Sequence, residues 1–308
     1  MSIASDYIWF DGSLVPYDEA NVHVLTHTLH YGMGAFEGIR AYEQPNGQPG
    51  IWRLREHIQR LMHTAKMLRM PTPFDTATVE AACLEVLKAN KFSNAYLRPL
   101  LFLGTGQMGL GARKNPTHTV VAAWQWGAYL GEEAMRNGIQ LQTSSFQRNH
   151  PNAAMPRAKV VGHYVNSILA RYEANENGFD EALMLDVNGF VAEGTGENLF
   201  VVSEGKVYTP PATNILPGIT RKTVIEMLEA EGTPLVEQCF GRDLLYTADE
   251  VFMCGTAAEI TPVAALDRRE VGSGRPGPIT QRIQARYLDA VRGKVPSMSH
   301  HITSPSAT

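Results

Sequence analysis

The amino-acid sequence predicts an α+β fold in two domains, and three observations carry that expectation. Its 308 residues exceed the commonest single-domain size. Strand patterns come in clusters with helical patterns between them, not in the strict alternation that builds a parallel sheet. A polar, glycine-bounded stretch, Gly127–Gly138, then separates two halves of different pattern. The expected division is 1–126 as a small N-terminal α/β domain, 127–138 as an interdomain loop and 139–294 as a large C-terminal domain. Residues 295–308, rich in Ser, Thr, Pro and His, read as a disordered tail.

Taken in order, the chain opens as a hairpin: Tyr7–Phe10, a tight Asp11-Gly12 turn, then Ser13–Val15. From Arg53 to Met70 the apolar residues Ile58, Leu61, Met62, Ala65 and Leu68 recur at threes and fours, which predicts a helix stopped by Pro71 and Pro73. A second helix fits Thr76 to Asn90, with Val79, Cys83, Val86 and Leu87 on one stripe. Strands follow at Ala95–Leu103 and His118–Trp126. The second half offers a helix from Val161 to Asn177, then strands Glu181–Val187, Phe190–Glu193, Asn198–Val202 and Lys206–Thr209. Asn188-Gly189 and Glu204-Gly205 are hairpin turns. Helices recur at Thr220–Glu231 and Ile279–Val291, and there is no internal repeat.

Composition narrows the function classes. Hydrophobic residues are 44% of the chain, enough to bury a substantial core without a staple. The net charge of -4, with both signs interspersed, argues against a nucleic-acid surface. Cys83, Cys239 and Cys254 lie far apart with no C-x-x-C pair, as expected of reduced thiols. The start has no basic stretch before an apolar core, so it does not read as a signal peptide. No apolar run reaches the ~18 residues of a spanning helix. A soluble cytoplasmic protein is expected.

Two motifs mislead. Gly104–Gly109 matches G-x-G-x-x-G after a good strand, but a dinucleotide site needs a helix next, and Leu110–Pro116 cannot supply one. Gly272–Gly277 contains Pro276 and follows a charged run, so it reads as a turn. The histidines do not gather at ligand spacing, and no metal is expected.

Lys159, one of eight lysines, is flanked by small and apolar residues from Ala158 to Val161. Such surroundings lower an amine's pKa and free it for Schiff-base chemistry, although a lysine head snorkelling from an interface would look the same. Glu193 ends a strand before the turn Gly194–Asn198. A carboxylate there could keep a pyridine nitrogen protonated, or could simply brace the turn. Pro217–Thr220 opens a helix and Gly255–Ala258 follows a buried strand. Both offer backbone N–H groups to an anion, the first as every helix start does.

Eight segments in order resemble the branched-chain amino acid aminotransferases of the fold type IV, pyridoxal-phosphate group. They are HYGMGAFEGIR (His30–Arg40), REHIQRL (Arg55–Leu61), AYLRPLLFLG (Ala95–Gly104), WGAYLG (Trp126–Gly131), KVVGHYVNSILA (Lys159–Ala170), LDVNGFVAEGTGENLF (Leu185–Phe200), LPGITR (Leu216–Arg221) and GTAAEITPV (Gly255–Val263). The resemblance runs from about Tyr7 to Ile283, nearly the whole chain.

What the resemblance implies is specific. Lys159 would carry pyridoxal 5'-phosphate as a Schiff base and move the proton between Cα and C4′. Glu193 would pair with the pyridine nitrogen, Tyr164 with the phenolic oxygen, and Leu216 would pack on the ring. Arg60, Ile219, Thr220 and Thr256 would hold the phosphate. The backbone at Thr256 and Ala257 would receive the substrate α-carboxylate. Phe36, Tyr96, Tyr129, Tyr164 and Ala258 would form an apolar box, with Arg98 for the γ-carboxylate of glutamate. Tyr31 and Leu110 would come from a neighbouring subunit, implying a homodimer or a trimer of dimers. Partners would be amino acids and 2-oxo acids, with no nucleic acid and no membrane. The loop Gly109–Asn115, with Arg113 and Lys114, departs from the family pattern and bears on substrate range.

Residue by residue, plainer readings stay open: the aromatics could be core, and Arg98 an ion-pair residue. A D-amino acid or R-selective amine transaminase shares the lysine and glutamate but usually lacks the Tyr96–Leu100 and Trp126–Tyr129 segments. An aminodeoxychorismate lyase would release pyruvate without an acceptor. A nicotinamide oxidoreductase would rest on Gly104–Gly109 alone, and a non-catalytic binding protein would lack turnover altogether.

Overall fold

In the computed structural model, which describes residues 5–127 and 129–305, strands and helices build two compact units. Unit 1 comprises Met1–Trp126, Ala158–His163 and Asp289–Thr308, and unit 2 comprises Gly127–Arg157 and Tyr164–Leu288, taken over the described residues. This differs from the expected division in placing Lys159 with the N-terminal segments. Among the described residues no helix is long and apolar enough to cross a membrane.

Unit 1 is a mixed layer of sheet and helix. Its strands are β1 (Tyr7–Phe10), β2 (Ser13–Pro16), β3 (Gly34–Phe36), β4 (Ile39–Glu43), β5 (Pro49–Trp52), β6 (Ala95–Leu103) and β7 (Thr117–Trp124). Its helices are α1 (His27–Tyr31), α2 (Leu54–Met67) and α3 (Thr76–Ala89). The sheet runs in the order Ile302–Thr303, β5, β4, β6, β7, β1, β2, and β3 also pairs with β6. The β1–β2 hairpin turns at Asp11-Gly12 as expected, both residues with positive φ. β6 matches its expected bounds, and pleating divides its side chains between two faces. Leu97 and Leu101 point into the core with Ile58, Leu61 and Ala65 of α2, and with Val79, Cys83 and Val86 of α3. Tyr96 and Arg98 therefore lie on the opposite face.

The tail corrects the expectation of disorder as far as residue 305. Residues Pro296–His301 form a 3-10 turn, and Ile302–Thr303 pairs antiparallel with Trp52 and Ile51 of β5. The reason is Arg53, fully buried at the start of α2. Its backbone N–H donates to the His301 carbonyl (2.8 Å), and its guanidinium meets the His301 ring (2.9 Å). A buried arginine needs such partners, and a Ser/Pro/His composition does not reveal them. Residues 306–308 of the expected tail lie outside the described residues.

Unit 2 contains β8 (Ile139–Thr143), β9 (Glu181–Leu185), β10 (Val191–Gly194), β11 (Asn198–Ser203), β12 (Lys206–Thr209), β13 (Leu235–Glu237), β14 (Glu250–Gly255), β15 (Glu259–Leu266) and β16 (Arg269–Glu270). Its sheet runs β10, β9, β8, β15, β14, β11, β12, β13, with β16 on β15. The helices are α4 (Glu132–Asn137), α5 (Tyr164–Glu176), α6 (Ile219–Ala230), α7 (Asp243–Tyr246) and α8 (Pro278–Val291). The expected helix from Val161 starts as a 3-10 turn, Val161–His163, before α5. The expected loop 127–138 contains α4, whose Met135 carbonyl accepts from Gln284 of α8 (3.0 Å). Ala128, within that loop, lies outside the described residues. The core gathers Leu141, Leu183, Leu199, Val201 and Met253.

Candidate active site

In unit 1 the backbone of Lys159 is pinned from two sides. Its N–H donates to Thr64 Oγ1 of α2 (3.1 Å), and its carbonyl accepts from the N–H of Phe36 (3.1 Å). Val160 then pairs with Ala35 of β3, and the Gly162 N–H donates to the Gly32 carbonyl (3.0 Å). Gly32 has φ 69°, and a Cβ there would lie 2.8 Å from Gly162 Cα, so this approach needs glycine twice over. The lysine segment is thus an added edge on β3. Lys159 Nζ lies 4.9 Å from the Phe36 ring centroid, between buried Ala158 and Val160 in sequence.

One turn before Thr64, α2 presents Arg60 on the same face. Arg60 donates through Nε to Glu37 Oε1 (2.6 Å) and through Nη2 to Glu37 Oε2 (2.9 Å), a bidentate fork. His57 Nδ1 meets Glu37 Oε2 at 2.8 Å. Glu37 is fully buried, and burial alone would raise its pKa. Arg60 and His57 outweigh that and hold the carboxyl far below the usual carboxylate range. Burial pushes His57 down, with Glu37 pulling the other way.

The opposite face of β6 holds a cation among aromatic rings. Arg98 Cζ lies 4.7 Å from the Phe36 centroid, 5.5 Å from Tyr96 and 5.7 Å from Trp124. Its Nη2 reaches the Tyr96 hydroxyl at 3.4 Å, and its buried Nε has no hydrogen-bond partner among the described residues. Tyr31 and Leu110 join none of this: they are 43% and 93% exposed on the surface of unit 1.

Unit 2 brings together a second set. Glu193 at the end of β10 is held by Arg148 (3.0 Å), by Asn198 Nδ2 (3.0 Å) and by the N–H of Leu216 (3.2 Å). Asn198 also donates to the Leu216 carbonyl (3.0 Å), so the carboxylate and the Leu216 segment form one frame. Gly218 caps α6 directly behind it, and a Cβ at Gly218 would collide with Asn198 Oδ1. The α6 start has no side-chain cap, and Ile219 and Thr220 are buried there. Tyr164 is half-buried at the first position of α5. Thr256–Ala258 form the turn joining β14 to β15, with Ala258 buried. Tyr129 is 38% exposed and lies 5.8 Å from Arg171, which pairs with buried Glu181. Burial, and then Glu181, push the neighbouring Glu197 carboxyl up.

Comparison with known proteins decides the family. The amino-transferase class IV family model matches residues 34–266. The branched-chain-amino-acid aminotransferase of Pseudomonas aeruginosa is 49% identical over 287 residues, 93% of each chain. The chain belongs to the branched-chain amino acid aminotransferases. A solved branched-chain amino acid aminotransferase of Escherichia coli has a TM-score of 0.95 at 44% identity, covering 97% of this chain and 99% of that one. The branched-chain amino acid aminotransferase of Thermobaculum terrenum, solved in its PLP-bound holo-form, has a TM-score of 0.92 at 34% identity, covering 98% of this chain and 99% of that one.

For a branched-chain aminotransferase, several residues around these two sets went unnoticed in the sequence. Glu37 sits inside the quoted HYGMGAFEGIR segment, and its signal was a lone acid between apolar neighbours. Thr64 and Trp124 gave no signal, because a threonine in a helix and an aromatic on a strand are ordinary. Arg148 lies in a loop with no periodicity, and only the fold reveals that it reaches Glu193. The Gly104–Gly109 motif is a loop tied by Asn115, whose side chain bonds the Gln107 N–H and the Gly104 and Gln107 carbonyls.

Proposed function

We propose that this chain reversibly moves the amino group of L-leucine, L-isoleucine or L-valine to 2-oxoglutarate, giving L-glutamate and the branched-chain 2-oxo acid, with pyridoxal 5'-phosphate as cofactor. The observation that carries the reading is Arg98 packed by Phe36, Tyr96 and Trp124. Aromatic faces accept an aliphatic side chain, and the guanidinium among them answers a γ-carboxylate. One pocket can then serve both substrates in turn.

The residues present fit the cofactor. Glu193 is a carboxylate held by Arg148, Asn198 and the Leu216 N–H, which favour the ionised form that a pyridine N–H needs as partner, and the glycine at 218 keeps that frame open beside the α6 start. Pyridoxal phosphate, when bound, supplies the electron sink for charge developing at the substrate Cα. Lys159 Nζ would carry it and move the Cα proton. Glu193 would hold the proton at the pyridine nitrogen, Tyr164 would donate to the phenolic oxygen, and Leu216 would cover the ring. Arg60, the N–H groups at Ile219 and Thr220, and Thr256 would bind the phosphate. The Thr256 and Ala257 backbone would orient the α-carboxylate, and Tyr129, Tyr164 and Ala258 would help exclude water from the side chain.

The assembly belongs to the proposal too. Leu110 and Tyr31, exposed in unit 1 as Leu29 and Val24 are, would complete a neighbour's site in a homodimer or a trimer of dimers. The expected compartment is the cytoplasm. A panel of amino donors against 2-oxoglutarate, with product chirality measured, tests the reading. L-leucine, L-isoleucine and L-valine should yield L-glutamate. Turnover confined to D-amino acids or R-amines, or pyruvate release without an acceptor, would replace it with a relative of the same fold.

A further inference from the structure

We propose that Glu37 is a positioning residue that aims the Arg60 guanidinium, so that the anion site of unit 1 is set before any anion arrives. The proposal rests on the reading that Arg60 takes the cofactor phosphate.

The geometry begins with the strand. Phe36 and Glu37 are consecutive, so their side chains leave the backbone on opposite sides. Phe36 packs against Lys159 and Arg98, while Glu37 turns to α2. The Glu37 backbone is fixed by its N–H to the Pro99 carbonyl (2.9 Å), and its side chain is 0% exposed. Both oxygens are used on Arg60, and the second also meets His57 at 2.8 Å. Arg60 is engaged along its Nε–Nη2 edge. In a planar guanidinium this fixes the whole plane and points the Nη1 corner away from Glu37.

His57 explains why the carboxylate itself does not swing. It lies one turn before Leu61 on the buried side of α2 and braces Glu37 at Oε2, the oxygen that Arg60 Nη2 also takes. The same helix fixes the Lys159 backbone through Thr64. Helix α2 thus holds both the lysine and the cation in register, and Glu37 sets the cation's angle.

Two effects of Glu37 oppose each other, which makes the proposal testable by sign. As an anion next to Arg60 it weakens any second anion there. As a fork partner it removes the guanidinium's freedom before binding, which strengthens a directional contact. We infer that orientation wins.

The test compares pyridoxal 5'-phosphate with pyridoxal, which lacks only the phosphate. The full chain is freed of cofactor and titrated by absorbance, and the ratio of the two dissociation constants is read for each variant. Arg60→Met should collapse the ratio. If it does not, Arg60 is not the phosphate residue, and the underlying reading falls together with the proposal. Glu37→Gln keeps the shape but loses the ionic fork. It should lower the ratio about tenfold through weaker phosphate binding, with pyridoxal itself moving less than about twofold. Glu37→Asp keeps the charge but draws it back by one methylene, and it should lower the ratio in the same direction. That variant also decides the matter if Glu37→Gln does not fold. If Arg60→Met collapses the ratio while the Glu37 variants leave it unchanged, Glu37 is only a buried counter-ion. If they raise it, the charge effect dominates. Either result overturns the proposal and leaves Arg60's role standing.

Discussion

Phe36 and Lys159 meet twice: the Phe36 N–H donates to the Lys159 carbonyl at 3.1 Å, and Lys159 Nζ lies 4.9 Å from the Phe36 ring centroid. One strand edge therefore fixes the lysine's backbone and also faces its side chain. The same ring lies 4.7 Å from Arg98 Cζ, so a change at Phe36 reaches both Lys159 and Arg98.

Thr64→Val tests the other anchor. Valine keeps the shape but removes the oxygen that accepts from Lys159 N–H. A partly buried donor left without a partner costs about 1–3 kcal/mol. The denaturant midpoint should fall accordingly, and cofactor capture should slow. If both stay at wild-type values, Thr64 does not hold the lysine segment.

Arg98→Met separates the two halves of the cycle. Loss of a charge-assisted hydrogen bond in a pocket is worth roughly 1.5–3 kcal/mol, or about 10- to 150-fold in kcat/KM for the glutamate half-reaction. The leucine half-reaction, which asks only for apolar contact, should move less than about fivefold. Stopped-flow traces of each half-reaction decide it, and equal losses would contradict the dual-substrate role.

How much of this could be read from the residues follows from their range of interaction. α3 and β6 announce themselves by local periodicity, and β6 starts and ends where expected. The stretch from Gly32 to Trp52 hides β3, β4 and β5, because glycines and polar residues break the alternation that marks a strand. α4 is hidden likewise, since six residues bury none and leave no apolar stripe. Local context suggests the roles of Lys159 and Glu193, but each alone has an ordinary alternative. Only the order of the eight segments ties them together. Partners that act across long loops, such as Arg148 on Glu193 or His301 on Arg53, have no local signature at all.

Glu193→Gln should slow the leucine half-reaction by orders of magnitude, because the amide cannot keep the pyridine nitrogen protonated. Phosphate affinity should change much less, since the substitution alters neither the Arg60 side chain nor the backbone N–H groups at the α6 start. Single-turnover rates within about threefold of wild type would make Glu193 a structural residue.

Stability should depend on pH through His57. Burial lowers its pKa in the fold below the ordinary 6.5, against the pull of Glu37. As pH falls below 6.5 the unfolded chain takes up the proton first, so stability present above that value is lost below it. The slope from one such group is at most about 1.4 kcal/mol per pH unit. His57→Gln, which keeps a donor for Glu37, should flatten the wild-type slope between about pH 7 and pH 5. Identical slopes in denaturant titrations of the two proteins would remove His57 as the cause.

The central claim is that Lys159 carries the cofactor. Sodium borohydride reduction of the holoenzyme, followed by proteolysis and mass mapping of the pyridoxyl group, tests it most directly. One labelled peptide, spanning Ala158–Val161, is expected, with no label in a Lys159→Ala protein that still binds the cofactor noncovalently. A pyridoxyl group on any other of the eight lysines would contradict it.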